Sequence, residues 1–382
     1  MQIKIPGVIM RGGTSRALFF KEDDLPKDKR EWESLFLSAL GSPDATGRQI
    51  DGLGGGVSSN SKVAVISPSD DPRYDVVYYF GQVAVDKPSV DFIGNCGNIS
   101  SAVAPFAIDE GLVSAVEPYT TVRIHQQNTD KIIIAKVRVD NGKFQESGDY
   151  AIPGINGTGS RITLQFVDPG GSLTGKLLPT GKALDILQDV GDLGDIECSI
   201  VDAGNPLIFI AADQLGIDTC DLSQFEVERI AGGLESIRAR AAVVLGFAEN
   251  EQQASIISQA VPKIAVVSAP QSYTAMGGET IESSDMDVLI RCLSMGALHK
   301  ALPGTAAISA AGAAKLSGSV VNRVLADNGP TGEILRFGHP TGVMEAGSTI
   351  EGRGISLHYQ EATLFRTARR IMEGKVLVPR PI

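Results

Sequence analysis

Hydrophobic positions along the chain fall into short runs that alternate with polar or small residues, the period-2 signature of strands half-buried in a sheet. Ile3, Ile5, Val8 and Met10 form the first run, and Ala17-Leu18-Phe19-Phe20 the second. The polar stretch Arg11-Gly12-Gly13-Thr14-Ser15-Arg16 lies between them as a hairpin. Further strands are expected at Val63-Ala64-Val65-Ile66, Val83-Ala84-Val85, Val90 to Ile93, within 121–139 on either side of Gln126-Gln127-Asn128-Thr129, and at 162–167. The second half restarts the pattern at Ser199-Ile200-Val201, Leu207 to Ile210 and Ile264 to Val267. Helical spacing appears where Trp32, Leu35, Phe36 and Leu40 share one face, predicting a helix over 24–40, with others at about 223–245 and 284–300. The small-residue run Ile99-Ser100-Ser101-Ala102-Val103-Ala104 reads as a helix ending near Glu110-Gly111. Arg366-Thr367-Ala368-Arg369-Arg370 reads as a basic helix before a last strand, Val376 to Val378.

With 382 residues, the chain exceeds one ordinary core. Glycine and proline density rises over 150–182, and a Gly/Asp-rich stretch comes next at 185–197. The expected domains are therefore 1–190 and 191–382, with the C-terminal segment packing back on the first. The net charge of −11 argues against a nucleic-acid partner without excluding a small anionic ligand. Cys96, Cys198, Cys220 and Cys292 show no metal-ligand spacing, and His125, His299, His339 and His358 are scattered, so no metal site is expected. No signal peptide and no long apolar run is apparent, which points to a reducing cytoplasm and away from a membrane.

Candidate chemistry centres on Gly94-Asn95-Cys96-Gly97-Asn98. A thiol at the first turn of a helix meets unpaired N–H groups and the positive end of the helix dipole, which stabilise a thiolate. The N–H groups of Gly97 and Asn98 could hold a carboxylate at the same turn. The competing reading is a buried structural cysteine, but glycines at 94 and 97 allow close backbone approach and favour catalysis. Lys62 stands where a polar glycine-serine loop, 51–61, enters an apolar strand. It is either a snorkelling surface lysine or, partly desolvated, a usable acid or base. Neither that loop nor Gly170-Gly171-Ser172-Leu173-Thr174-Gly175-Lys176 closes with the Lys-Ser/Thr and helix of a phosphate loop, so nucleotide binding is rejected at both. The hairpin at 11–16 reads first as a turn, with a ligand-facing role as the alternative. Ile308 to Ala313 can be laid on Ile99 to Ala104, which sets Thr305 opposite Cys96 in a second, weaker copy of the motif. His299 and His339 are candidates for the same neighbourhood.

These motifs resemble the PrpF family: Met10-Arg11-Gly12-Gly13-Thr14-Ser15, the Asp51 to Lys62 loop, Asn95-Cys96-Gly97-Asn98, Asp202-Ala203-Gly204-Asn205-Pro206, His339-Pro340-Thr341-Gly342 and Arg366 to Gly374. Within the family the resemblance is greatest to the methylitaconate Δ-isomerases. It implies an α+β fold like diaminopimelate epimerase, with two pseudo-symmetric domains, each a curved sheet wrapped on a central helix. It also implies a cofactor-free active site in the cleft between them, with Lys62 and Cys96 as the catalytic pair. The second thiol of an epimerase is missing, because Thr305 or Ser309 stands in its place, so a proton shift within one ligand is favoured over racemisation. The implied reaction is a 1,3-allylic proton shift in an unsaturated dicarboxylate, best methylitaconate to 2,3-dimethylmaleate. The alternatives are 4-oxalomesaconate tautomerisation, 2-methylaconitate cis-trans isomerisation and aconitate Δ-isomerisation. A non-enzymatic alternative is an accessory protein of an aconitase-type iron–sulfur enzyme. Thr14, Ser15, Ser61, Asn95, Gly97, Asn98, Thr305, Ser309 and His299 are the candidates for holding the substrate, a small di- or tricarboxylate. A homo-oligomer is an admissible state.

Overall fold

The computed structural model describes residues 2–325, 333–352 and 357–379. The chain forms two compact units, Met1–Leu164 with Phe365–Ile382, and Gln165–Leu364. In the first, β1 (Gln2–Gly12) and β2 (Ser15–Lys21) form the expected hairpin, followed by the helix α1 (Trp32–Leu40). Then come β3 (Lys62–Pro68), β4 (Val76–Val83), the short β5 (Val90–Asp91), the helix α2 (Ser100–Asp109), β6 (Tyr119–Gln126) and β7 (Lys131–Asp140). Pro26 sits in the segment expected as the start of a long helix, where two single 3-10 turns, Glu22–Asp24 and Lys29–Glu31, precede α1. Outermost in the sheet is the C-terminal strand Ala368–Pro379, antiparallel to β1 along its whole length. Moving inward the pairings run antiparallel (β1/β2), parallel (β2/β3), antiparallel (β3/β4), parallel (β4/β6) and antiparallel (β6/β7).

Every residue of α2 from Ser100 to Ile108 is buried. A helix without a polar face must be covered on all sides. Contacts of α2 with the C-terminal strand and β1 at one end of the strand order, and with β6 and β7 at the other, show how this is met: the sheet curls around it. Alternation along β2 serves both faces of that sheet. Phe19 packs inward on Phe106 of α2 with ring centroids 5.4 Å apart, while Phe20 packs outward on Phe36 of α1 at 5.7 Å. Burying one such ring contributes about 1.5–3 kcal/mol.

The second unit repeats this plan. Asp185–Leu187 pairs antiparallel with Ile196–Ala203, which forms a hairpin with Asn205–Ala211. Lys263–Ser268 then joins in parallel, Val288–Ser294 antiparallel, Ile334–His339 parallel and Gly342–Glu351 antiparallel. The succession of directions matches the first unit pair for pair. Helices Glu228–Val244 and Gly304–Lys315 fall in the intervals that α1 and α2 occupy, and Gly304–Lys315 is buried from Gly304 to Ala314. Its glycine is required by close approach: a Cβ at Gly312 would lie 2.6 Å from the ring of Tyr359.

Three expectations are corrected by pairing partners that a local pattern cannot reveal. Residues 284–300 are not a helix but the strands Val288–Ser294 and Ala297–Leu298, because the apolar run at 288–290 is buried on both faces between two neighbouring strands. Residues 366–370 are extended, not helical, since Ala368, Arg369 and Arg370 pair with Gly12, Arg11 and Met10 of β1. The segment 165–190, read from sequence with the first domain, lies within the second compact unit. Asp202 ties it there, accepting hydrogen bonds from Ser172 Oγ, Leu173 N (2.8 Å) and Thr174 N (2.7 Å). Those bonds also explain the phosphate-loop likeness of 170–176, whose loop N–H groups face a carboxylate of the protein itself.

Candidate active site

A turn at residues 97–99 leads from Cys96 into helix α2. Ser100 donates its N–H to Cys96 O at 2.9 Å, and Ser101 donates to Asn98 O at 3.2 Å through N–H and at 2.7 Å through Oγ. Ser100 Oγ also donates to Asn95 Oδ1 at 3.3 Å, which holds the residue before the cysteine against the helix. The carbonyls of this turn are thereby engaged, whereas the N–H groups of Gly97 and Asn98 donate to no described residue. Both residues are buried, and Cys96 is half-buried. Orphan N–H groups at a helix start are an anion-binding feature, and here they adjoin a thiol.

The hairpin tip between β1 and β2 packs directly on this turn. Asn98 Nδ2 donates to Thr14 Oγ1 at 3.1 Å, and Arg366 Nε donates to Asn98 Oδ1 at 3.0 Å. Gly13 has φ +51, and a Cβ there would stand 2.3 Å from Asn98 Oδ1, so only glycine fits. Arg11 braces the tip from behind, its Nη1 donating to Gly13 O and Thr367 O at 3.0 Å each. Burial lowers the Arg366 pKa to about 10, which leaves the guanidinium charged at neutral pH. The turn reading of 11–16 is thus correct for the backbone, while Thr14 and Asn98 are brought together as the site reading requires.

Lys62 begins β3 and is 7% exposed. Its ammonium donates to Gln82 Oε1 and lies 5.5 Å from the ring of Phe80. Gln82, Phe80 and Tyr78 are alternate residues of β4 and project from one face of it. Tyr78, fully buried, has its phenol pKa raised well above normal by burial. One strand face therefore carries the side chains that hold Lys62. Asn128 fixes that strand and the approach to the cysteine, bonding Phe80 N at 2.9 Å, Phe80 O at 2.8 Å and Phe92 O at 2.7 Å.

Other predicted residues serve elsewhere. Ser61 is fully buried and accepts from Gln49 Nε2 at 2.7 Å, which anchors the glycine-rich loop before Lys62. Ser15 is buried at the hairpin end, paired with Gly12. Thr305, Ser309 and His299 belong to the second unit. Ser309 Oγ donates to Ala203 O (2.6 Å) and Asn205 O (2.9 Å), Thr305 Oγ1 accepts from Asn205 Nδ2 (3.4 Å), and His299 Nδ1 lies 2.8 Å from Ala301 O. The register expected between the two helices is corrected. Ala307 N donates to Pro303 O as Ser100 N does to Cys96 O, so Pro303 stands opposite Cys96 and Thr305 opposite Asn98. The hairpin contacts agree, since Asn98 meets Thr14 and Thr305 meets Asn205. A proline supplies neither a thiol nor an N–H. No group of three or more potential metal ligands occurs among the described residues. Arg366, Tyr78, Phe80 and Gln82 were not predicted as site residues; for Gln82 the available signal was one polar residue in an otherwise apolar run.

Residues 2–379 match the family described as PrpF protein. Over 381 residues the chain is 45% identical to the 3-methylitaconate isomerase of Eubacterium barkeri, covering 99% of this chain and 98% of that protein. It is 40% identical over 394 residues to the 2-methyl-aconitate isomerase of Shewanella oneidensis, covering 100% and 98%. The crystal structure of a methylitaconate-delta-isomerase superposes with a TM-score of 0.79 at 44% identity, covering 99% of this chain and 96% of that one. A probable proline racemase from Agrobacterium radiobacter shares the fold at a TM-score of 0.54 and 12% identity, covering 97% and 92%.

Proposed function

The chain belongs to the PrpF family, and from that premise we propose that it is an isomerase moving a C=C bond by a 1,3-allylic proton shift in a small unsaturated dicarboxylate, methylitaconate first. Identity of 45% over the full length to an isomerase of 3-methylitaconate supports the substrate class. The observation that carries the mechanism is that one compact unit holds a buried Lys62, fixed by Gln82 and Phe80, and a half-buried Cys96 beside the uncommitted N–H groups of Gly97 and Asn98.

In this reading a proton leaves the sp3 carbon that bears the methyl and a carboxylate. The electron pair moves through the allyl system, and the exocyclic methylene carbon takes a proton to become the second methyl of 2,3-dimethylmaleate. Lys62 and Cys96 divide abstraction and return between them. The N–H groups of Gly97 and Asn98, with Thr14, receive a carboxylate on which negative charge grows, and donors already in place stabilise it without reorganisation. The oxidation state of the substrate is unchanged, so acid–base groups suffice for the step. Pro303 opposite Cys96 leaves this reading without a second thiol, which separates it from a two-thiol racemisation.

The test is proton NMR in deuterated water with methylitaconate, itaconate, cis-aconitate, 2-methylaconitate and 4-oxalomesaconate. Migration of the double bond is expected, with deuterium entering the former methylene carbon as the new methyl of 2,3-dimethylmaleate. Exchange in another member of the panel alone would rename the substrate, and exchange in none would overturn the reaction in favour of an accessory role. A Cys96→Ala or Lys62→Ala protein that kept full turnover would sink the pair.

A further inference from the structure

We infer that Arg366 is a positioning residue, which orients the Asn98 amide so that the Thr14 hydroxyl must offer its hydrogen outward to a carboxylate of the substrate. The inference rests on the acid-binding reading proposed for this site and adds a residue to it.

Donor chemistry fixes the direction of each bond. A guanidinium has donors only, so the Asn98 atom 3.0 Å from Arg366 Nε has to be the amide oxygen. The opposite amide orientation would set NH2 against N–H. With its oxygen held there, the amide presents NH2 to Thr14 Oγ1 at 3.1 Å. An NH2 group can only donate, so the Thr14 oxygen accepts and its own hydrogen must point away from Asn98. Among the described residues Thr14 Oγ1 makes no other hydrogen bond, and the side chain is half-buried at the hairpin tip. A carboxylate accepts and cannot donate, which makes it the complementary ligand. The relay is also mechanically confined. Gly13, with no Cβ, leaves room for the Asn98 oxygen to sit against the tip, and Arg11 pins the Gly13 and Thr367 carbonyls behind it. Each bond in such a chain polarises the next, so the charge of Arg366 strengthens the Thr14 donor although the guanidinium touches no ligand.

Glutamine at 366 can meet either face of the Asn98 amide and frees its orientation. Isothermal titration with methylsuccinate, a saturated dicarboxylate that cannot undergo the shift, reads the effect on binding alone. Arg366→Gln and Thr14→Val are each expected to raise Kd about tenfold, and Thr14→Ser to leave it near the original value. The double variant Arg366→Gln/Thr14→Val should bind no more weakly than the weaker single one, because both break the same relay. Multiplying effects, an unchanged Kd in Arg366→Gln, or no methylsuccinate binding by the unaltered protein would overturn the inference. Should Arg366→Gln not fold, Asn98→Ala replaces it in the same cycle with the same expectations. In methylitaconate turnover the single variants should raise KM and lower kcat together, because the carboxylate that Thr14 holds gains negative charge during the step. Coupled binding without deuterium exchange would keep the relay and reject the reaction, whereas exchange with uncoupled binding would do the reverse.

Discussion

Alanine at Gly13 should cost about 3.5–6 kcal/mol of stability in the first unit, with the loss falling on the Asn98 turn. Two contributions make up that figure. The residue has φ +51, where a side chain costs about 1–2 kcal/mol. The added Cβ would also lie 2.3 Å from Asn98 Oδ1 and 3.0 Å from Arg366 Cδ, so the amide has to leave its place. Its departure breaks one hydrogen bond to a charged group, worth about 1.5–3 kcal/mol, and one neutral bond to Thr14, worth about 1. Gly204 provides an internal control at the equivalent hairpin of the second unit. It has φ +70, but a Cβ there would find its nearest neighbour, Thr305 Cγ2, at 3.5 Å, an ordinary contact. Gly204→Ala should therefore cost only the backbone part, about 1–2 kcal/mol. Urea unfolding measures the first through Trp32, the single tryptophan, which is buried in the first unit with its indole N–H on Pro26 O. Far-ultraviolet circular dichroism tracks the second. Equal losses in the two variants, or a Gly13→Ala loss below about 2 kcal/mol, would show that the Asn98 cluster does not depend on the missing Cβ.

Burial and charge lead to two further outcomes. Burial pushes the Cys198 and Cys292 thiols up to about 12, so iodoacetamide at pH 8 should alkylate Cys96 in the folded protein and leave those two unlabelled. Peptide mass spectrometry reads the pattern, and labelling of either at the pace of Cys96 would contradict it. Asp44, whose carboxylate accepts from Thr46 Oγ1 and from the N–H groups of Thr46, Arg48 and Gln49, is held at about 2 against an ordinary 3.8. The folded state thus resists protonation more than the unfolded one, and this stabilisation is present above pH 3.8 and disappears as pH falls through about 2. Carboxyl-carbon NMR should find that midpoint and see it rise in Thr46→Ala; a midpoint near 3.8 in the unaltered protein would refute the contact set.

Much of the site could be read before any tertiary contact was known. The Gly94 to Asn98 turn announced a helix start with a thiol, and Gly13-Thr14 announced a tight tip, because glycine placement reflects local backbone demands. Lys62 stood out as a cation at the entrance to an apolar strand. Features that depend on a partner distant in sequence escaped. Arg366 looked like part of a basic helix, since its five-residue neighbourhood contains nothing to say that β1, more than 350 positions away, would pair with Ala368, Arg369 and Arg370. Gln82 and Tyr78 lay outside every expected strand, the nearest being Val83-Ala84-Val85, whereas the structure places them in β4. Ser61 and Ser309 looked available, yet their hydroxyls are engaged by Gln49 and by the 203–205 hairpin.

The amino-acid sequence alone determined the strand and helix content of most segments, the choice of Cys96 and Lys62 as candidates, and the resemblance that places the chain in its family. These rest on local periodicity, glycine positions and residue type, which need no partner. Tertiary structure alone decided that the C-terminal strand completes the first sheet, that residues 288–294 are a strand, and that Pro303, not Thr305, is the position in the second repeat that corresponds to Cys96. It alone decided the direction of the hydrogen bonds from Arg366 through Asn98 to Thr14. A run of apolar residues satisfies a strand or a helix equally until a neighbouring strand offers its hydrogen bonds. Likewise, an amide has no preferred orientation until a donor is fixed on one side of it.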